Sequence, residues 1–158
     1  MNQKKTYIIA EAGVNHNGSF EMAVKLVDAA AEAGADCVKF QTFRPESLVT
    51  RNAQKAEYQI KNTNSGESQR KMLEKLTLPD RDFEYLARYA ASKGIDFTST
   101  AFDEESVRFI HGLGIPFWKI PSGEVTNLPY LEQVAKYQEP IVMSTGMCTM
   151  EEIRQAVV

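Results

Sequence analysis

The chain has 158 residues, 43% of them hydrophobic and 25% charged, with a formal net charge of -3, which suits one globular core and argues against a nucleic-acid backbone as partner. No apolar run approaches the roughly 20 residues that span a bilayer, and Met1-Asn2-Gln3-Lys4-Lys5 leads into a strand pattern, so the expectation is a cytoplasmic protein without a membrane partner. Cys37 and Cys148 lie far apart without a CxxC spacing and read as small buried hydrophobes, not as a disulfide or metal pair.

Residues 6–12 are β-branched and apolar without long alternation, which predicts a strand buried on both faces. A turn-rich loop over residues 13–18 follows, and Ser19 is placed to cap a helix with Phe20, Val24, Val27 and Ala31 at helical spacing and Gly34 as its stop. Residues 36–42 form the second strand. Residues 43–66 are polar and aperiodic and read as a long excursion, then a short helix over residues 67–76 with Met72, Leu73 and Leu76 packed beneath it.

Asp80 reads as the cap of a helix whose stripe is Phe83, Leu86, Ala87 and Ala90, ended by Gly94. The remaining pattern is a strand over 96–101, a helix from Asp103 through Val107 and Ile110, a strand over 117–120, a helix over 129–137 and a strand over 141–145. Thr149 and Glu152 then make a capping box for a last helix.

Five β–α units in a row call for a parallel sheet with right-handed crossovers. Two architectures fit: a doubly wound, flavodoxin-like domain, or the first part of an eight-unit barrel of about 250 residues. In both, ligands bind outside the carboxyl ends of the strands. Glu11, Lys39, Gln41, Thr100, Lys119, Ser122 and Glu124 all fall at that edge. Two lysines inside apolar strands ask for a partner, because an unpaired buried ammonium is costly.

Five blocks occur in order: residues 8–18 (IIAEAGVNHNG), 38–43 (VKFQTF), 99–103 (STAFD), 118–124 (WKIPSGE) and 143–147 (MSTGM). With Lys55-Ala56-Glu57-Tyr58-Gln59 and Glu67-Ser68-Gln69 they make the chain closely resemble, over essentially all its length, the N-terminal part of the bacterial sialic acid synthases and their relatives making legionaminic and pseudaminic acids. The resemblance implies a TIM-type (β/α)8 barrel of which this chain carries about the first five β–α units. It also implies condensation of phosphoenolpyruvate with the open-chain aldehyde of N-acetylmannosamine, or of a diacetamido trideoxy hexose, with release of phosphate. A homodimer is implied for the full-length protein.

On the residues that match, the resemblance implies Glu11 and Glu124 as catalytic carboxylates, and Lys39, Gln41, Thr100, Lys119 and Ser122 as the phosphoenolpyruvate set. Tyr58, Gln59, Asn62 and Phe102 are candidates to contact the sugar. Alternatives stay beside these roles: each glutamate could simply pair with a lysine, Phe102 could be a packed aromatic, and His16 divides between loop packing and substrate contact. His111, without a motif, reads as a surface residue.

The family implies Mn2+ or Mg2+, but its histidine motifs, resembling Gly-Phe-Ser-Asp-His and Glu-Lys-His-Phe, do not occur in the 158 residues. The later strands and the C-terminal antifreeze-like domain are likewise not matched. Residues 1–158 are therefore expected to be the N-terminal portion of a synthase barrel, without a metal site and inactive alone. The alternative class is a non-catalytic five-stranded module that keeps the anion pocket.

Overall fold

The computed structural model describes residues 6–48 and 69–157. Strand β1 (Ile9–Gly13) leads through helix α1 (Phe20–Glu32) to β2 (Cys37–Thr42). Helices α2 (Pro45–Leu48), α3 (Gln69–Glu74) and α4 (Asp80–Ser92) precede β3 (Asp96–Ala101). Helix α5 (Glu104–Gly112), β4 (Trp118–Ile120), a 3-10 turn (Ser122–Glu124), α6 (Leu128–Ala135), β5 (Ile141–Met143) and α7 (Met150–Ala156) complete the order.

Neighbouring strands pair in chain order and in parallel, β1 with β2, β2 with β3, and β4 with β5. This order rules out the doubly wound alternative, in which the chain must reverse direction across the sheet at a switch point. It is the order of a barrel wound one way. The single continuous sheet expected from the sequence is instead two hydrogen-bonded sheets, of three and two strands. At the seam the Thr98 hydroxyl donates to the Phe117 carbonyl at 3.1 Å.

The helices cover one face of the strands. Val38, Phe40 and Phe97 pack there with Ala23, Val27 and Ala30 of α1 and Phe83, Leu86 and Ala90 of α4. A second cluster joins Trp118 and Ile120 to Val107 and Ile110 of α5 and Tyr130 and Val134 of α6. In α1 the buried line is Ala23, Val27 and Ala30, while Phe20, Val24 and Ala31 flank it half-buried. Small alanines let α1 sit close to the sheet.

Ser19 and the Thr149–Glu152 box cap α1 and α7 as the sequence predicts. Asp80 does not cap α4: Pro79 holds the cap position and Asp80 is the first helical residue, its carboxylate turned to Arg44 instead. The stretch read as a structureless excursion starts with the short helix α2, and residues 49–66 lie outside the described residues. Helix α6 begins one residue earlier than predicted because Asn127 caps it, accepting from the Tyr130 amide.

Candidate active site at the strand ends

Along β2 the side chains alternate, so Val38 and Phe40 enter the helix-side core and Lys39 and Gln41 take the opposite, inner face. Register places Lys39 beside Glu11 of β1 and Thr98 of β3, and Gln41 beside Thr100. Lys119 likewise sits between Trp118 and Ile120, both of which are buried on the helix side. A barrel interior is usually filled with branched apolar side chains. Here the first four strands present Glu11, Lys39, Gln41, Thr98, Thr100 and Lys119 inward, a polar lining that needs a chemical reason.

Lys39 is 7% exposed. Its Nζ lies 2.5 Å from Glu11 Oε2 and donates to Thr100 Oγ1 at 3.3 Å, so the ammonium is held by one charged and one neutral acceptor. The Glu11 side chain keeps 52% of its surface and opens the pair to solvent on one side. A bulge between Glu11 and Gly13 and the left-handed φ of 54° at Gly13 shape this corner. A Cβ at Gly13 would stand 3.1 Å from Glu11 Oε1 and 3.4 Å from Gln41 Nε2, so glycine leaves both side chains their room.

Lys119 is half-buried and donates to the Ile120 carbonyl at 3.0 Å. Burial and the positive charge of Lys39 push its ammonium below the ordinary lysine value, with Glu11 opposing. The two lysines therefore share one field across the seam, and one carboxylate does not neutralise both. An anion is the complement of such a site.

After Pro121 the chain turns through Ser122, Gly123 and Glu124. Glu124 is half-buried, and its Oε2 accepts from Asn127 Nδ2 at 2.7 Å. Of the two simple pairings considered for the glutamates, Glu11 with Lys39 is present, whereas Glu124 is bonded to Asn127. The Ser122 carbonyl accepts from Cys148 Sγ at 3.3 Å, which ties the turn to the loop after β5. Phe102 is half-buried, with Phe43 edge-on at 6.4 Å. Tyr58, Gln59 and Asn62 lie outside the described residues.

His16 is a packed loop residue, 1% exposed, whose Nδ1 accepts from the Gly18 amide at 3.0 Å. His111 is exposed, stacks on Tyr137 and has Nδ1 3.2 Å from Glu139 Oε1. Cys37 is buried and Cys148 half-buried, both as free thiols. Among the described residues no group of three or more His, Cys, Asp or Glu is arranged to hold a metal ion. No helix among them is long and apolar enough to cross a membrane.

The sequence profile of the NeuB family matches residues 26–158. The chain belongs to the NeuB family. It is 50% identical to the N,N'-diacetyllegionaminic acid synthase of Legionella pneumophila over 96% of its own length and 42% of that protein. Its identity to the Campylobacter jejuni protein of the same name is also 50%, over 97% of this chain and 46% of that one. The crystal structure of an N-acetylneuraminic acid (sialic acid) synthetase from Leptospira borgpetersenii superposes with a TM-score of 0.81 at 26% identity, covering 98% of this chain and 49% of that one. The chain thus spans less than half the length of these relatives.

The NeuB-family chain carries five β–α units of a TIM-type (β/α)8 barrel, with parallel strands in sequential order. Asn127 and Arg44 escaped the sequence reading, and Cys148, read as a buried hydrophobe, is half-buried and bonds the Ser122 carbonyl. Asn127, partner of Glu124, had a readable signal, because an Asn two residues before Pro129 marks a helix start. Arg44 and Cys148 had none, since both act through neighbours remote in the chain.

Proposed function

We propose that this chain supplies the phosphoenolpyruvate side of a nonulosonic acid synthase site, a carbon–carbon bond-forming transferase that joins phosphoenolpyruvate to an acetamido sugar aldehyde and releases phosphate. The observation that carries the reading is the inward pair Lys39 and Lys119 with, among the described residues, Glu11 as their shared counter-charge. Phosphoenolpyruvate brings a carboxylate and a phosphate, and two ammonium groups on separate strands can each take one. Gln41, Thr100 and Ser122 add neutral donors around them.

In this reading the enol C3 of phosphoenolpyruvate attacks the sugar aldehyde carbon, the aldehyde oxygen takes up a proton, and the electron-poor C2 is quenched by water. Glu124, oriented by Asn127, takes the proton that the water loses. Cleavage of the C–O bond then releases phosphate and leaves the 2-keto acid. Glu11 orients the sugar while balancing Lys39. The sugar side falls to Phe102, with Tyr58, Gln59 and Asn62 as further contacts. A divalent ion, expected from the family, would polarise the aldehyde, and no step here is assigned to it.

For the sugar, the 50% identities to proteins named as diacetyllegionaminic acid synthases support a diacetamido trideoxy hexose at least as well as N-acetylmannosamine. A cytoplasmic address and a homodimer belong to the same proposal. The test is a phosphoenolpyruvate titration of the chain followed by the fluorescence of Trp118, its only tryptophan and the neighbour of Lys119. Saturable quenching that Lys119→Ala abolishes and Lys25→Ala preserves is the expected result. Equal responses in the two variants would move the anion site elsewhere and remove the basis of the reading.

A further inference from the structure

Beyond the lysine pair, the side chain of Arg44, two residues past the end of β2, makes three bonds to two acidic residues. Its side chain is only 17% exposed. One terminal nitrogen donates to both oxygens of Asp80, each at 2.8 Å, and Nε donates to Glu105 Oε1 at 3.0 Å. The backbone amide of Arg44 donates to Asp103 Oδ2 at 2.7 Å.

The three acceptors stand at two joints of the fold, the start of α4 and the start of α5. Asp80 opens α4 and Glu105 lies in the first turn of α5. Asp103 is the cap of α5, where its Oδ1 accepts from the Ser106 amide at 2.8 Å. A single guanidinium therefore ties the exit of β2 to the start of the helix before β3 and to the start of the helix after it. Only arginine can do this, because its planar fork offers several fixed donors where lysine offers one mobile point charge.

The residues that Arg44 joins carry an aromatic pair. Phe43 precedes it in sequence and Phe102 precedes Asp103, and the two rings meet edge to face with centroids 6.4 Å apart. The Phe102 amide donates to the Thr42 carbonyl at 3.3 Å. Lys39 and Lys119 are outside this network: their bonds run to Glu11, Thr100 and the Ile120 carbonyl.

We infer that Arg44 is a positioning residue that holds the Phe43–Phe102 rim in place, and that it does so independently of the lysine pair beneath. That this rim is the sugar side rests on the proposed function; the mechanical coupling does not. Fixing Phe102 would then set where the sugar aldehyde lies over the enol carbon without changing how the anion is held.

The test uses the chain itself, with Arg44→Ala, Arg44→Lys and Asp80→Asn variants followed by amide hydrogen exchange and ring–ring contacts in NMR spectra, alongside the Trp118 titration. In Arg44→Ala and Asp80→Asn the Phe102 amide and the backbone amide at position 44 should exchange at least about tenfold faster, as expected when an element opens locally. The Phe43–Phe102 contact should weaken, and Arg44→Lys should not restore it. The phosphoenolpyruvate midpoint should stay within about twofold.

Unchanged Phe102 exchange in Asp80→Asn would overturn the proposal, and that variant decides the matter should Arg44→Ala fail to fold. A phosphoenolpyruvate midpoint that moves with the rim would overturn it too, by showing that Arg44 supports the whole site. Absence of phosphoenolpyruvate binding in the unsubstituted chain would count against the proposed function alone, since the exchange and ring contacts still report on the clamp.

Discussion

Replacing Glu11 with glutamine keeps its shape and removes the charge that Lys39 Nζ meets at 2.5 Å. The two ends of this pair are unequal, with the lysine side chain 8% exposed and the glutamate 52%, so the loss falls on the lysine, which water cannot reach freely. A hydrogen bond to a charged group contributes about 1.5–3 kcal/mol. Half-exposure of the partner screens part of that, placing the cost at about 1–2 kcal/mol. In a chain of this size each kcal/mol moves the melting midpoint by about 2–4 °C, and Glu11→Gln should therefore melt about 2–8 °C lower.

The same change should tighten phosphoenolpyruvate binding, because an incoming anion no longer competes with a resident carboxylate for the ammonium. Lys39→Met is the contrast. It leaves Glu11 with access to water, costs under about 1 kcal/mol, and abolishes binding. Circular-dichroism melts at pH 7 with and without phosphoenolpyruvate read both effects. A Glu11→Gln chain that melts with the wild type and binds no better would refute the unequal-pair reasoning, and so would a Lys39→Met chain that is the less stable of the two.

Gly18 has a φ of 76°, and a Cβ there would stand 2.3 Å from the Lys75 carbonyl oxygen, whereas Gly34, with a φ of 75°, has open space around it. Gly18→Ala should therefore lose at least about 2 kcal/mol more in urea unfolding than Gly34→Ala, which carries only the backbone strain of about 1–2 kcal/mol; equal losses would show that the turn yields. Burial holds His16 below the ordinary histidine value. The unfolded chain then binds a proton that the folded chain refuses, so the stability is fully present above about pH 6.5 and is lost progressively as pH falls from there through the lower folded value. His16→Asn, which keeps an acceptor for the Gly18 amide, should flatten this slope in urea midpoints measured between about pH 7 and 5. A slope equal to wild type would assign it to other groups.

Local chemistry decided much of this protein before any long-range contact formed. Ser19, Asp103 and Thr149 cap their helices through their own hydroxyl or carboxylate within three residues, and the alternation of Val38 and Phe40 with Lys39 and Gln41 already separates a core face from a chemical one. The inward placement of Lys39 and Lys119 was legible for the same reason, since strand period is a property of short segments, although the structure puts Glu11, Lys39 and Lys119 inside their strands and not at the ends the sequence suggested.

What the tertiary structure alone decided is which strands are neighbours. Sequential pairing made a one-way barrel sheet and not a doubly wound one, and it set Glu11 against Lys39. The seam between β3 and β4, the turning of Asp80 from cap to ion-pair partner, and the Arg44 clamp all join residues 19 to 61 positions apart. Pairwise distance in space is fixed only when helices of given bulk pack on the sheet, and no segment carries that information by itself.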